Sequence, residues 1–213
     1  MGLDYSYDLR FRRDQLAEIL LAVAEIASPL PHPPLEVVLP GGTGSIFLPF
    51  TSRFKSEPVF CDARNHLNFV NFDTSLWFES DDVLERYARA CESEGHPLVR
   101  DGRGRVKLGY VYLSIWLKVQ DDKGNQDYLD FSFTPATSQM GLLFAASESI
   151  RRSFVQLLKD HDGLLGQFVD SDNHWGPIIV WPETSPLYNP TNLLELHNKL
   201  SPQTPYYRIP LGF

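Results

Sequence analysis

Three features of the sequence predict an α+β fold. Apolar side chains alternate with polar ones at 3–11, 106–119 and 129–134, which is the period of a strand. Between these runs the period lengthens to that of a helix at 16–27, 80–94 and 137–158. The strand-like runs also come in consecutive pairs around turn formers, so neighbours pair antiparallel without helical crossovers. The expected architecture is a mostly antiparallel sheet of about seven to eight strands with three main helices and a short C-terminal helix. Residues 1–200 read as a single α+β domain and 201–213 as an extended tail.

Leu3, Tyr5, Tyr7, Leu9 and Phe11 alternate with Asp4, Ser6, Asp8 and Arg10, a strand with one apolar face. Leu16, Ile19, Leu20, Val23 and Ala27 then recur at helical spacing, with Asp14 placed to cap. SPLPHPP must end that helix, because proline lacks the amide donor. LEVVL and SIFLPF around PGGTG predict a hairpin. Residues 51–71 mix aromatics with loop formers and read as a long surface excursion. TSLWF reads as a short strand. Ser80 then caps a helix through Cys91, with Asp81 and Asp82 opposing its dipole, Val83, Tyr87 and Ala90 as its apolar stripe, and Gly95 at its C′ position.

Residues 106–119 carry the strongest strand signal. Val111, Leu113, Ile115, Leu117 and Val119 take one face; Tyr110, Tyr112, Ser114, Trp116 and Lys118 take the other. DDKGNQ turns the chain into a partner strand, where Leu129, Phe131 and Phe133 alternate with Tyr128, Asp130, Ser132 and Thr134. A third helix starts near Thr137 or Ser138, buries Leu143, Ser147, Ile150, Phe154, Leu157 and Leu158, and stops at Gly163. LLGQFVD and PIIVW make a last hairpin across SDNHWG, and Thr191 caps a short helix through Leu200.

The totals narrow the functions. A chain of 213 residues with 43% hydrophobic and 13% aromatic side chains holds a core without staples. The net charge of −8 opposes general binding to nucleic acid or anionic membranes. Cys61 and Cys91 are too few for a disulfide framework, so reduced thiols and a cytoplasmic location are expected. The N-terminus lacks the pattern of a signal peptide, and LAEILLAVAEIA is too short and too acidic to span a bilayer. Met1-Gly2 with Ser6 matches the M-G-x-x-x-S myristoylation pattern, but the same residues read as a strand.

The segment RDGRGRVKLGYVYLSIW joins the densest basic charge of the chain to glycines in G-x-G spacing. A dinucleotide fingerprint needs those glycines between a strand and a helix, whereas Gly102 and Gly104 precede a strand. GGTGS at 41–45 lacks the Lys-Ser/Thr of a P-loop. Both read as turns. Arg103 and Arg105 beside Tyr110, Tyr112 and Trp116 instead suggest a binding face for a protein partner, since these residue types are enriched at interface hot spots. Asp170, Asp172 and His174 alternate like metal ligands, yet Trp175 stands where an EF-hand loop needs glycine, so a hairpin turn is expected and no metal site. There is no G-x-S-x-G elbow and no Cys-His pair, so no catalytic residue and no cofactor is assigned. Polar candidates remain at Asp73, Glu79 and Asp130, and at the strand-to-helix junction of Thr134 and Thr137.

The stretches MGLDYSYDLRF, GYVYLSIWLKV and LDFSFTPATSQM resemble a bacterial family whose members open with an M-G-x-D-Y-S strand. No activity or catalytic residues are assigned to that family, so the resemblance implies none here. The expected function is that of a non-enzymatic protein-binding domain of immunity or adaptor type. A small-molecule hydrolase or transferase with a polar site near residues 134–138 is the alternative.

Overall fold

The structure, a computed structural model, describes residues 5–29, 32–61, 68–119, 127–170 and 178–180. It is an α+β fold with a large antiparallel sheet and a small mixed one. The chain runs β1 (Tyr5–Arg12), α1 (Leu16–Ile26), β2 (Leu35–Val38), β3 (Ser45–Leu48), β4 (Val59–Phe60), β5 (Phe69–Phe78), α2 (Asp82–Ser93), β6 (Val106–Val119), β7 (Tyr128–Pro135), α3 (Ser138–Ala146), α4 (Glu148–Asp160), β8 (Leu165–Asp170) and β9 (Ile178–Val180). The six-stranded sheet has the order β5-β6-β7-β1-β8-β9, with every neighbour antiparallel. In the three-stranded sheet β2 pairs antiparallel with β3 and parallel with β4.

Alternation decides what each face of the large sheet does. Tyr7, Leu9, Phe11, Val111, Leu113, Ile115, Leu129, Phe131 and Phe133 are buried, and α3 and α4 pack on that side. The ring of Phe154 on α4 lies 4.6 Å from Tyr7 and 4.7 Å from Phe133, and Phe144 and Phe78 close the cluster at 5.8 and 5.9 Å. The Tyr7 hydroxyl donates to the Phe144 carbonyl at 3.0 Å, and burial raises its pKa. The small sheet joins the same core through Phe50, whose ring is 5.7 Å from Phe72. Among the described elements, no helix packs on the opposite face of the large sheet.

Several expectations need correction. Part of residues 51–71 is regular structure: β4 and the start of β5 lie there, and the TSLWF strand is the second half of a ten-residue strand. Asp14 caps nothing; it sits in a 3-10 turn over Arg13–Gln15, and Gln15 ties the start of α1 to α4 by donating to the His161 carbonyl at 2.8 Å. Asp81, and not Ser80, caps α2, because its carboxylate accepts the Val83 and Leu84 amides at 3.1 and 2.9 Å. The buried stripe of α2 is Leu84 and Ala88, with Val83 and Tyr87 flanking and Ala90 exposed. The third helix is two helices. Ser147, read as one of its buried stripe, ends α3 and caps α4, accepting the Ile150 amide at 3.2 Å. Gly41, Gly42, Gly44 and Gly104 hold positive φ in their turns, as the hairpin reading requires. The DDKGNQ turn, Asp172 and His174 of SDNHWG, the 191–200 helix and the 201–213 tail lie outside the described residues. Among the described residues no helix is long and apolar enough to cross a membrane.

Candidate functional site

The arginine-glycine segment is a closed turn. Asp101 accepts the amides of Arg103 and Arg105, both at 2.9 Å, and its second oxygen receives Arg105 Nε at 2.8 Å. Arg100 pairs with Glu85 at 2.9 Å. Two of the arginines are thus matched by carboxylates, and the amides that would hold an anion are already directed at Asp101. Arg105 also lies 11 residues before Trp116, roughly 35 Å along a strand, so Arg103 and Arg105 do not join the aromatic end of β6.

Tyr110, Tyr112, Trp116, Asp73, Asp130 and Thr134 converge on the face of the large sheet turned away from α3 and α4. Cross-strand register builds it in rows. One row holds Phe69, Trp116, Asp130 and Arg10; the next holds Asn71, Ser114, Ser132, Asp8 and Gln167; Asp73 pairs with Tyr112, and Tyr112 with Thr134, in a third. Arg10 grips Asp130 with two bonds of 2.6 and 2.7 Å. Asp8 accepts the Ser6 hydroxyl at 3.0 Å and also the Ser132 hydroxyl. Its pKa is raised, first because burial disfavours the charge; the two serines counter this, and the nearby Asp130 adds to it. Among the described residues no cation pairs with Asp8.

At the β5 edge of this face the backbone is strained. Ser52 and Lys55 exchange backbone bonds of 2.8 and 3.0 Å around a two-residue turn, and its central residues Arg53 and Phe54 hold φ of 53° and 60°. Those are the φ signs of a type I′ turn, which glycine and asparagine favour. The turn is pinned by Asp73, a buried carboxylate that accepts the Phe54 amide at 2.8 Å. Tyr110 holds φ of 50° at a bulge, where β5 spends Ser75 against both Gly109 and Tyr110. The Tyr110 carbonyl accepts the Ala136 amide at 3.0 Å, and its ring meets Phe54 edge-on at 6.0 Å.

The turn and the bulge hold two large rings in solvent, Phe54 at 64% exposed and Tyr110 at 56%, and regular outward positions of β6 expose Trp116 at 51% and Tyr112 at 37%. A groove of about 310 Å³ adjoins the strained turn, lined by Arg53, Lys55, Pro58, Phe60, Phe69 and Asn71. Thr137 stands apart from this face and is the cap of α3, accepting the Met140 amide at 3.2 Å. The Glu79 carbonyl accepts the Ser149 hydroxyl. No cluster of metal-ligating side chains occurs among the described residues.

Reading single segments missed Asp8, Ser114, Ser132, Asn71 and the Arg53–Phe54 turn. The outward positions of three strands, Ser6-x-Asp8-x-Arg10, Ser114-x-Trp116 and Asp130-x-Ser132-x-Thr134, carry the signal once the strands are set side by side. No protein-family model, no curated protein and no solved structure matches this chain.

Proposed function

We propose that the protein is a non-enzymatic binding domain of adaptor or immunity type, and that the exposed face of the large sheet is where it docks a protein partner. One observation carries this reading. Three non-glycine residues in the left-handed region, Arg53, Phe54 and Tyr110, meet at one corner and hold two aromatic rings out in water. Each such residue costs about 1 kcal/mol or more, and strain of this kind persists where a site needs it. Rigid aromatic side chains held on a sheet lose little entropy on binding, which suits them as anchors.

Photo-crosslinking from position 112 in extract of the source cells tests the reading. A discrete protein adduct is expected from position 112 and none from Arg152, which is exposed on α4. Equal labelling from both positions, or none from position 112, overturns it.

A further inference from the structure

Resting on that reading, a narrower statement about the partner follows from the charges on the exposed face. Its two central carboxylates differ. Asp130 is held by the bidentate Arg10 pair, while Asp8, one row away on the central strand β1, receives only serine hydroxyls among the described residues. A partly buried carboxylate that pairs with no cation among the described residues gains free energy from any cation that reaches it. The exposed ring of Trp116 and the half-exposed ring of Tyr112 lie two strands across on β6, and ring faces attract guanidinium groups. Trp116 and Tyr112 stand one row to either side of Asp8, so two strand spacings of about 9.6 Å and one row of about 6.8 Å put them roughly 12 Å from it. A polyproline II segment, with three residues per turn, puts residues i and i+3 on one side about 9.3 Å apart, and the length of an arginine side chain spans the difference. The net charge of −8 draws a basic partner in and repels an acidic one.

We propose that the exposed sheet face takes an extended basic segment of its partner protein. One arginine of that segment sits on Asp8, and a second, three residues away, lies against Trp116 or Tyr112. The basic corner of the face, Arg53 with the Lys55–Glu57 pair, sets the end at which such a segment must leave the surface.

Two synthetic peptides test this: one with three arginines at every third position in a glycine-serine background, and the same peptide with glutamine for arginine. Binding is followed by amide and indole shifts of the isotope-labelled full chain. The arginine peptide is expected to move Asp8, Ser132 and the Trp116 indole, and the glutamine peptide to bind at least tenfold more weakly. Asp8→Asn should lower affinity about tenfold, the worth of one charge-assisted hydrogen bond. Trp116→Leu should lower it about two- to fivefold. Glu25→Gln removes the same charge from α1 and should change affinity less than twofold.

If the glutamine peptide binds this face equally well, the basic-segment proposal falls and the docking reading stands. The proposal also falls if Asp8→Asn behaves like Glu25→Gln, or if the arginine peptide moves only the acidic helix α2. Loss of the adduct at position 112 removes both.

Discussion

Asp81 shows how much one side chain decides. One oxygen caps α2, and the other accepts the Ser147 hydroxyl at 2.7 Å and the Ser149 amide at 3.0 Å, so a single carboxylate serves the first turns of α2 and α4. Burial alone would raise its pKa, but the donors from Leu84, Ser149, Ser147 and Val83 outweigh it and hold the carboxyl below the usual range. Asp81→Ala should cost about 2 kcal/mol, the cap of α2 together with the bonds to Ser147 and Ser149 at the start of α4, read from urea midpoints at neutral pH. The sign of the pH dependence follows from the direction of the shift. The contribution is complete above the unfolded carboxyl value and is lost as pH falls through the lower folded value, so wild type and Asp81→Ala should converge in acid. Asp8 has the opposite sign. Its raised folded value makes its ionisation a burden at neutral pH, which lightens as pH falls toward the ordinary value, so Asp8→Asn should melt higher than wild type at neutral pH and lose that advantage in acid. At Gly163 a Cβ would meet the Leu158 side chain at 2.1 Å and its carbonyl at 2.9 Å, and Gly163→Ala should cost about 1–3 kcal/mol by thermal melting.

At the scale of elements, the Ser52–Lys55 turn separates stability from binding. Arg53→Asn with Phe54→Gly supplies the residues its φ angles favour and should stabilise the fold by about 1–2 kcal/mol while weakening partner capture. A variant that loses stability instead would show that the turn carries no strain. The same elements mark how far the sequence is legible. β1 and β7 were readable because period-2 alternation runs through them, and β6 because the alternation is unbroken from Val111 to Leu117, beyond the bulge at Gly109 and Tyr110. β5 was half hidden, since Asp73, Thr74 and Ser75 are polar and yet buried, and alternation fails where both faces are covered. The break at Ser147 was hidden for a different reason. Its hydroxyl falls on the helical stripe, and only the distant Asp81 shows that it caps a new helix. Tyr112, Trp116, Asp130 and Thr134 could be named as single residues, but their meeting depends on register between strands far apart in the chain, which no local window contains.

For the molecule as a whole, the core hinges on Phe154, whose ring is in contact with Tyr7, Phe78, Phe133 and Phe144. Phe154→Ala should remove about 3–5 kcal/mol, a large share of what a domain of this size has to spare, and the loss should appear as one cooperative denaturation midpoint shifted downward.

The place of β1 in the large sheet has a consequence for biosynthesis. The strand made first is hydrogen-bonded on both sides by strands made late: Arg10 meets Asp130, 120 residues further on, and Tyr5 meets Asp170. At the ribosome β1 must therefore wait, both backbone edges unpaired and its apolar face uncovered, for roughly 10–30 s at ordinary elongation rates. A nascent chain arrested before residue 128 should be cut rapidly by protease, and one extended past residue 170 and clear of the exit tunnel should resist. That interval is when the chain most needs a chaperone.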